Sequence, residues 1–276
     1  MKKIFHAPAK INLLLRVLAK RADGFHELET LVLPLPGLAD ELTFQAADGF
    51  SLHCEKTGVP TDHTNLVSRA LRLFEEKTGI AANWKITLEK KIPHGAGLGG
   101  GSSDAATTFL ALNELHDAKI PLADLSAWAA TLGSDIPLFL YQSPCWCRGR
   151  GEIIEPLNLD FPHPILLFKP TFDVPTPWAY QNWASSKELP GISYAAQEIE
   201  GIALENHLER PVFQKHLFLA ELKFHLQNHP KTQAALLSGS GSTVFAILQN
   251  AEDAEEIIES TQSLDPTLWH HLEKRK

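Results

Sequence analysis

The sequence feature that most constrains the fold is a glycine-rich segment with five glycines and two serines in twelve residues, Pro93-His94-Gly95-Ala96-Gly97-Leu98-Gly99-Gly100-Gly101-Ser102-Ser103-Asp104. Glycine costs conformational entropy unless the backbone needs positive φ or a close approach, which disfavours an ordinary glycine-rich turn. A strand pattern precedes the segment, and a helix pattern, Ala105 to His116, follows it. Such a loop presents free N–H groups and the positive end of a helix dipole, so it predicts an anion site, most often for phosphate.

The segment also contains a G-x-G-x-x-G match, Gly95 to Gly100, which requires a comparison with dinucleotide-binding folds. The preceding strand, residues 84–89, alternates apolar and polar residues, whereas a buried parallel strand would be apolar throughout. The acidic residue expected about 20 residues later would fall at the end of a helix. No Lys-Ser or Lys-Thr follows the glycines, which excludes a Walker loop.

Ser102, Ser103 or Asp104 is expected to cap the following helix.

Composition narrows the class of protein further. The 276 residues are 44% hydrophobic, which suits one large or two ordinary domains, and the formal net charge of −8 argues against nucleic-acid binding. The three cysteines form no C-x-x-C pair or metal pattern, which indicates reduced thiols. With no apolar leader segment and no run of about 20 apolar residues, we expect a soluble, cytoplasmic protein that does not bind a membrane.

The first third of the chain reads as a strand followed by a hairpin. Residues 4–18 alternate, which places Lys10, Asn12, Leu14 and Arg16 on one face. This pattern fits two interpretations equally well. The face is either a solvated polar surface, or Lys10 and Asn12 form a pair that faces a ligand. Asp23-Gly24 predicts a hairpin turn, and Phe25 and His26 follow it, where side chains can reach a ligand.

Helix patterns cover Asn65 to Lys77 and Leu125 to Leu132, and Ser134 is the expected N-cap of a short helix after them. Asp135 would lie in its first turn, and its apolar flanks suggest that it is partly buried. Proline clusters at Phe161-Pro162-His163-Pro164 mark a domain boundary. Beyond it we predict helices over 199–208, 213–227 and 251–260. A second Gly/Ser turn, Leu237 to Thr243, is either a tight bend or a second phosphate-facing loop.

Three of these segments together resemble the motifs of the GHMP kinases, in the same order. The motifs are Pro8-Ala9-Lys10-Ile11-Asn12-Leu13, the glycine loop Pro93 to Ser103, and Leu237-Ser238-Gly239-Ser240-Gly241-Ser242. Further segments resemble the 4-diphosphocytidyl-2-C-methyl-D-erythritol kinases within that superfamily: Arg21 to Leu28, Gly133 to Pro137 and Arg148 to Glu152. The departures are small: Phe25 stands where that family usually has Tyr, His94 and Ala96 make the loop less glycine-like, and His207 replaces a common Asp.

The resemblance implies an α+β fold with two domains. Residues 1–160 would form an N-terminal GHMP kinase domain like domain 2 of ribosomal protein S5, and residues 161–276 a ferredoxin-like C-terminal domain. It also implies transfer of the γ-phosphate of ATP to the tertiary 2-hydroxyl of a cytidyl substrate, in the non-mevalonate route to isoprenoid precursors. The partners would be small molecules only, and Mg²⁺ is expected with ATP, although no carboxylate cage for it is legible.

The resemblance also assigns roles to single residues. Asp135 would accept the proton of the hydroxyl, and Lys10 would polarise it and hold the carboxylate ionised. Pro93, His94, Gly95, Ala96, Gly97, Leu98, Gly99, Gly100, Gly101, Ser102 and Ser103 would wrap the ATP phosphates, with Asn65 and Leu66 at the adenine. Phe25 and Tyr180 would sandwich the cytosine, His26 would read its edge, and Asn12 would line the substrate pocket.

Two other functions compete with this one. A GHMP kinase with a different acceptor would lack a reason for the Asp-Gly-Phe-His block and its aromatic partner. A nucleotide-binding module without catalysis would have no need of both Lys10 and Asp135.

Overall fold

The chain folds around two β-sheets flanked by helices. The computed structural model describes residues 2–275. Up to the predicted boundary, the elements in chain order are β1 (Lys2–Lys20), β2 (His26–Ala46), β3 (Ser51–His53), α1 (Leu66–Thr78), β4 (Trp84–Glu89), α2 (Gly100–Leu115), α3 (Leu122–Leu132), α4 (Ile136–Leu140), β5 (Cys145–Gly149) and β6 (Ile153–Pro156).

The second part of the chain is shorter and holds eleven further elements, of which one is a 3₁₀ turn at Ala251–Asp253 and the other ten are strands and helices. In order they are β7 (Ile165–Lys169), α5 (Thr176–Asn182), β8 (Gln197–Ile199), β9 (Ile202–Asn206), α6 (Glu209–Lys215), α7 (Leu217–Gln227), β10 (Thr232–Leu237), β11 (Val244–Leu248), α8 (Ala254–Gln262) and β12 (Trp269–Glu273). The predicted α+β fold class is confirmed.

The larger sheet has the strand order β3-β4-β2-β1-β9-β8, with β5 and β6 continuing from β2. The long β1–β2 hairpin is its centre, because its strands pair along nearly their whole length. The hairpin β8–β9 comes from the second part of the chain, and β9 runs parallel to β1 at Leu14 and Leu15. The predicted division at residues 160 and 161 therefore separates the two sheets except for this hairpin.

The smaller sheet is antiparallel, in the order β10-β11-β7-β12. Strands β7 and β11 are buried along their whole length, since helices cover one face and the larger sheet lies near the other. Of the helices in the part of the chain that the structure describes, none has both the length and the apolar character of a membrane span.

Local sequence signals explain several element ends. Asn65 caps α1, since its Oδ1 accepts the N–H of Val67 at 2.8 Å, and Gly79 ends that helix at φ 71°. The alternation of Trp84–Glu89 gives a strand with one buried face, as predicted. The start of α2 differs from the prediction. The helix begins at Gly100, directly after Gly99 in the left-handed conformation, and no side chain caps it. The expected cap by Ser102, Ser103 or Asp104 was wrong.

The predicted helix over 199–208 was also wrong. The segment forms the β8–β9 hairpin, whose turn residues Glu200 and Gly201 have φ of 50° and 81°. Two successive positive φ values match the tight turns of hairpins, and pairing with β1 outweighs the local helix pattern. The helix expected over 213–227 is split at His216 into α6 and α7.

A β-bulge in β1 changes which side chains share a face. Asn12 pairs with Val32 but Leu14 pairs with Leu31, so Leu13 is an extra residue opposite β2. Beyond the bulge the alternation is inverted. Leu15, rather than Leu14, therefore lines the same cleft as Lys10 and Asn12, and the predicted placement of Leu14 on their face was wrong.

Candidate active site

A cleft of about 470 Å³ lies between the two parts of the chain, along the glycine loop. Most residues predicted for the site line it: Lys10, Asn12, Asn65, Leu66, Pro93 to Ser102, Asp135 and Tyr180. Phe25, His26 and Ser103 do not line it. Thr30, Lys90, Asp104, Cys147 and Arg150 line it as well, although none of these five was predicted as a site residue.

The glycine loop takes a conformation that only glycine tolerates at several points. Gly95, Gly97 and Gly99 have φ of 59°, 74° and 73°. A Cβ on Gly97 would collide with the carbonyl oxygen of Ser238, and one on Gly99 would meet the ring of Phe139. The loop leads into the first turn of the 16-residue helix α2. No side chain caps that turn and it contains no acidic residue, so its N–H groups are available to a ligand. This is the geometry of an anion site.

Ser103 lies behind the cleft rather than in it. Its N–H donates to the carbonyl of Gly99 at 2.9 Å, its side chain is buried, and its hydroxyl has no hydrogen-bond partner. The N–H groups of Gly100, Gly101 and Ser102 precede it in the first turn. Its predicted contact with ATP phosphates therefore has no support in its placement.

The second Gly/Ser turn runs alongside the glycine loop and holds it. Ser242 and Thr243 donate their N–H groups to the carbonyls of Gly95 and Ala96, at 3.3 and 3.2 Å. The hydroxyl of Ser238 donates to the carbonyl of Gly97 at 3.1 Å. Gly239 and Ser240 also line the cleft. The turn is thus a tight bend that supports the glycine loop and faces the cleft at its tip.

Asn206 fixes this turn from the end of β9, and the sequence analysis gave it no role. Its Nδ2 donates to the carbonyls of Leu237 and Gly239, both at 2.7 Å, and its Oδ1 accepts the N–H of Leu208 at 2.9 Å. Every polar atom of this buried amide is thereby satisfied. The segment 199–208 was predicted as a helix, so the sequence carried no signal for this role of Asn206.

A buried ion pair supports the same turn. Lys223 on α7 donates to Glu209 at 2.6 Å, and the second carboxylate oxygen of Glu209 accepts the N–H of Leu237 at 3.0 Å. Burial raises the pKa of Glu209, against the opposing effect of Lys223. The pair therefore links α6, α7 and β10 behind the Gly/Ser turn.

All three motif segments of the chain meet at the ammonium group of Lys10. Its Nζ donates to Asn12 Oδ1 and to the carbonyl of Gly97, both at 2.7 Å. A Cβ on Gly239 would lie 3.3 Å from this Nζ and equally close to Asn12 Oδ1. Lys10 is 5% exposed, and burial lowers its pKa, while the nearby charge of Asp135 acts in the opposite direction.

Asp135 lies on the other side of this group, at the start of α4. It is itself the N-cap residue of the helix, so the predicted cap at Ser134 was wrong. It is also exposed, which corrects the expectation of partial burial from its apolar flanks. The Ser134 hydroxyl donates to Asp135 Oδ1 at 3.2 Å. Lys10 gives its two hydrogen bonds to uncharged oxygens, so the Asp135 carboxylate stays open to the cleft.

Two further groups near Lys10 and Asp135 are held in their neutral forms. Burial, with smaller contributions from Cys145 and Asp135, raises the pKa of Cys147 to about 12. Burial also raises the pKa of Tyr180, and Asp135 adds to that effect. Neither the Cys147 thiol nor the Tyr180 hydroxyl is therefore ionised near neutral pH.

A charged brace lies beneath the other end of the glycine loop. Lys90 donates to Asp104 on α2 at 2.7 Å and also to Asp40 on β2. Asp40 Oδ1 accepts the N–H groups of Lys91 and Ile92, at 2.6 and 2.8 Å. Burial raises the pKa of Asp104 to about 8, although Lys90 opposes this shift. The brace joins β2, the residues leading into the loop, and the helix that follows it.

The predicted nucleotide-base residues lie together beside Val59, Pro60 and Thr64 in the cleft lining. The Asn65 side chain is already engaged, since its Oδ1 caps α1 and its Nδ2 donates to the carbonyl of Pro60 at 2.6 Å. Leu66 offers an apolar side chain there. Asn65 thus shapes this end of the cleft through its fixed position.

The aromatic residues predicted at the substrate end lie at the tip of the β1–β2 hairpin and on α5. The His26 ring stacks on Tyr180, with centroids 5.5 Å apart at 26°. Burial, with help from Lys20, lowers the pKa of His26, which keeps its ring neutral near pH 7. Phe25 is 53% exposed, and the guanidinium of Arg150 lies 4.8 Å from its ring centroid. Arg150 connects the exposed Phe25 to the cleft that it lines.

Among residues 2–275, no group of three or more His, Cys, Asp or Glu side chains is arranged to hold a metal ion. An ion that arrives with a nucleotide needs less, because Mg²⁺ keeps several waters and takes one or two protein ligands beside the phosphates. The Ser102 hydroxyl and the Asp135 carboxylate line the cleft and can supply such oxygen ligands.

The chain matches two family models, the GHMP kinases N terminal domain over residues 65–143 and the GHMP kinases C terminal over residues 195–264. It is 40% identical over 275 residues to the 4-diphosphocytidyl-2-C-methyl-D-erythritol kinase of Methylacidiphilum infernorum (isolate V4), covering 96% of this chain and 94% of that protein. It is 40% identical over 257 residues to the enzyme of that name from Chlorobium phaeobacteroides (strain BS1), covering 90% and 89%. A crystal structure of 4-(cytidine 5'-diphospho)-2C-methyl-D-erythritol kinase matches with a TM-score of 0.80 at 35% identity, over 98% of both chains.

Proposed function

The chain belongs to the 4-diphosphocytidyl-2-C-methyl-D-erythritol kinase family of the GHMP kinases, and from that membership we propose the roles of its cleft residues in the reaction. The enzyme is an ATP-dependent kinase that phosphorylates the 2-hydroxyl of 4-diphosphocytidyl-2-C-methyl-D-erythritol, a step of isoprenoid precursor biosynthesis. Its substrates are small molecules.

The observation that carries the proposal is the meeting of three separate chain segments at Lys10. The ammonium group is bonded to Asn12 and to the glycine loop, and Gly239 of the Gly/Ser turn packs against it. The open carboxylate of Asp135 lines the same cleft. A buried cation beside a phosphate loop and an open carboxylate is the arrangement that phosphoryl transfer to an alcohol requires.

Asp135 is the proposed group that orients the hydroxyl and accepts its proton. A tertiary alcohol is almost fully protonated near neutral pH, so a carboxylate within hydrogen-bond reach directs its lone pair toward the phosphorus. The exposed position of Asp135 leaves its oxygens available to a substrate. Lys10 then stabilises the negative charge on the reacting oxygens.

The glycine loop and the first turn of α2 are the proposed binding site of the ATP phosphates. The N–H groups of Gly100, Gly101 and Ser102 and the helix dipole favour this negative charge. We include Mg²⁺ in the proposal, held by the phosphates and by oxygens of Ser102 or Asp135. When bound, the ion neutralises charge on the phosphates.

The hairpin tip and α5 form the proposed cytosine site. Phe25 and Tyr180 supply ring faces, and a neutral His26 can both donate and accept a hydrogen bond at the base edge. The stacking of His26 on Tyr180 holds the imidazole in place. Asn12 lines the cleft beside Lys10, which supports its proposed contact with the erythritol portion.

The test is acceptor specificity with the purified protein. ADP release is followed with ATP and either 4-diphosphocytidyl-2-C-methyl-D-erythritol, homoserine, mevalonate or galactose as acceptor, and the phosphorylated product is identified by mass. Turnover with the cytidyl alcohol alone is the expected result. Equal or faster turnover with another alcohol would contradict the substrate, and turnover with none would contradict the activity.

A further inference from the structure

Thr30 lies on β2 directly beside the Lys10–Asn12 pair, and no role has been given to it so far. It is 6% exposed, it pairs across the ladder with Leu15 on β1 and with Cys147 on β5, and it lines the cleft. We propose that Thr30 is a positioning residue for the catalytic lysine: its hydroxyl fixes the orientation of the Asn12 amide, and the amide fixes the ammonium of Lys10. This inference rests on the proposed role of Lys10.

The direction of the hydrogen bonds follows from what each atom can do. The Thr30 hydroxyl lies 2.6 Å from the carbonyl of Leu14, which can only accept, so the single hydroxyl proton goes to Leu14. The hydroxyl oxygen lies 2.8 Å from the Asn12 amide and must therefore accept. The NH₂ group of Asn12 thus faces Thr30.

That orientation leaves the amide oxygen of Asn12 for Lys10. Oδ1 lies 2.7 Å from Nζ, and the opposite orientation would bring two donors together at that distance. Asparagine side chains have no intrinsic preference between the two orientations, so the choice depends on the neighbours. The Thr30 hydroxyl, whose proton goes to the Leu14 carbonyl, and the ammonium group of Lys10 select the same orientation here.

The β-bulge at Leu13 belongs to this arrangement. It separates Asn12 from Leu14 by one extra residue, and Leu14 is the residue whose carbonyl accepts from Thr30. Bulges commonly re-aim side chains beside active sites. In this chain the bulge puts a main-chain acceptor and the Asn12 side chain on the same threonine.

Lys10 differs from the other buried lysines of residues 2–275 in its partners. Lys169 pairs with Asp173 at 2.9 Å and Lys223 with Glu209 at 2.6 Å, whereas Lys10 is held by two uncharged oxygens. Carboxylate partners would cancel the positive charge, but amide and peptide oxygens hold the group without cancelling it. This relay of hydrogen bonds, from the Leu14 carbonyl through Thr30 and Asn12, therefore orders the flexible side chain of Lys10. It leaves the charge of Lys10 available to the reacting oxygens.

The titratable groups around Lys10 influence how a substitution at Thr30 would change the pKa of Lys10. Asp135, ahead of α4, and Cys147, on β5, face it, and Tyr180 on α5 and Arg150 lie across the same cleft. Losing the Asn12 acceptor removes a hydrogen bond to the charged form of Lys10. The pKa of Lys10, already lowered by burial, should then fall further.

The test compares Thr30→Val, which lacks the hydroxyl, with Thr30→Ser, which keeps it. For Thr30→Val we expect kcat to fall about 10-fold, KM for both substrates to change less than about twofold, and the alkaline limb of the kcat profile to move to lower pH. Thr30→Ser should recover most of the lost turnover and the original limb. If the valine variant does not fold, Thr30→Ala, which puts no methyl group against Asn12, is measured in its place.

Two results would overturn the inference. One is an unchanged kcat and alkaline limb without the hydroxyl. The other is equal damage in Thr30→Ser and Thr30→Val, which would point to packing rather than to the hydroxyl. Lys10→Ala is measured in parallel: normal turnover there would remove the proposed role of Lys10 itself. An inactive Lys10→Ala with a normal Thr30→Val would contradict the relay alone.

Discussion

Gly239 packs directly against Lys10: a Cβ at the glycine would lie 3.3 Å from the lysine Nζ. The same Cβ would lie 3.3 Å from Asn12 Oδ1 and from the carbonyl oxygen of Gly97. The Gly/Ser turn therefore determines how tightly the catalytic lysine is enclosed, although no atom of Gly239 takes part in the hydrogen bonds of Lys10.

Gly239→Ala should lower kcat by about 10-fold or more, because the methyl group would displace Lys10 or Asn12 from its position. Part of the effect would be backbone strain, since φ is 56°. Gly191→Ala is the matched control, with φ of 80° and nothing within 4 Å of the added Cβ. Both should lose about 1–2 kcal/mol of stability from the positive φ, but only Gly239→Ala should lose turnover. Equal kcat values would contradict the enclosure of Lys10.

Truncation of Phe25 provides a second test. Because its ring is exposed, the effect on substrate binding can be separated from the effect on stability. A core residue would cost about 3–5 kcal/mol of stability on truncation to alanine, but a ring that is 53% exposed should cost much less. Stacking of a base on an aromatic ring is worth about 1–3 kcal/mol, so Phe25→Ala should raise KM for the cytidyl substrate by roughly 5- to 150-fold. Phe25→Tyr, which keeps the ring face, should retain the affinity. Steady-state kinetics and thermal melts of both variants separate binding from folding.

Tyr180→Ala should raise the same KM as Phe25→Ala if the two rings enclose the cytosine. It should also release His26, which now stacks on Tyr180. A rise in KM at Phe25→Ala with none at Tyr180→Ala would place the base elsewhere on the hairpin tip.

The pH dependence of stability tests the brace beneath the glycine loop. Burial raises the pKa of Asp104 to about 8, above its value in the unfolded chain, so the folded state binds this proton more tightly. Stability from this group is therefore present at acidic pH and is lost as the pH rises from about 4 toward about 8. Asp104→Asn cannot ionise and should remove that part of the decline. Melting curves of both proteins at pH 5 and pH 8 measure it, and parallel shifts would contradict the buried, protonated Asp104.

The ion pair of Lys223 and Glu209 gives a prediction about the free energy of unfolding, independent of substrate binding. Both side chains are about 2% exposed, and removal of one partner leaves the other charge buried alone. Lys223→Met should therefore cost about 3–5 kcal/mol of unfolding free energy. The double variant with Glu209→Gln should recover part of that loss, because no buried charge remains. Denaturant unfolding of the single and double variants gives the coupling, and additive losses would contradict it.

The sequence was most informative where a residue type has few alternatives. The glycine loop, the helix pattern from Asn65 to Lys77 and the strand over 84–89 could be predicted because glycine and periodic apolar residues give strong local signals. The hairpin over 197–206 could not, because its pairing with β1 outweighs a local helix pattern. The bulge at Leu13 leaves no local signal, so Thr30 and the exchange of Leu14 for Leu15 in the cleft became visible only in the structure.

The site was predictable to the extent that single residues define it. Lys10, Asn12, Asp135 and Tyr180 all line the cleft, and their roles in the reaction stay predictions. Asn206, the Lys90 brace and Ser103 were not predictable in their placement, because they depend on how distant segments pack. The exposure of Asp135 is a similar case: its apolar neighbours in α4 are buried, whereas Asp135 is at the N-cap position ahead of the helix and lines the cleft.

The most direct test of the account is the rate of phosphoryl transfer in Asp135→Asn, measured in a single turnover with ATP and the cytidyl alcohol at saturating concentrations. Asparagine keeps the shape but cannot accept the proton, so we predict a fall of about 10²-fold or more, with the affinity for both ligands nearly unchanged by calorimetry. A near-normal transfer rate in this variant would contradict the role of Asp135 as the base and, with it, the central claim about the cleft.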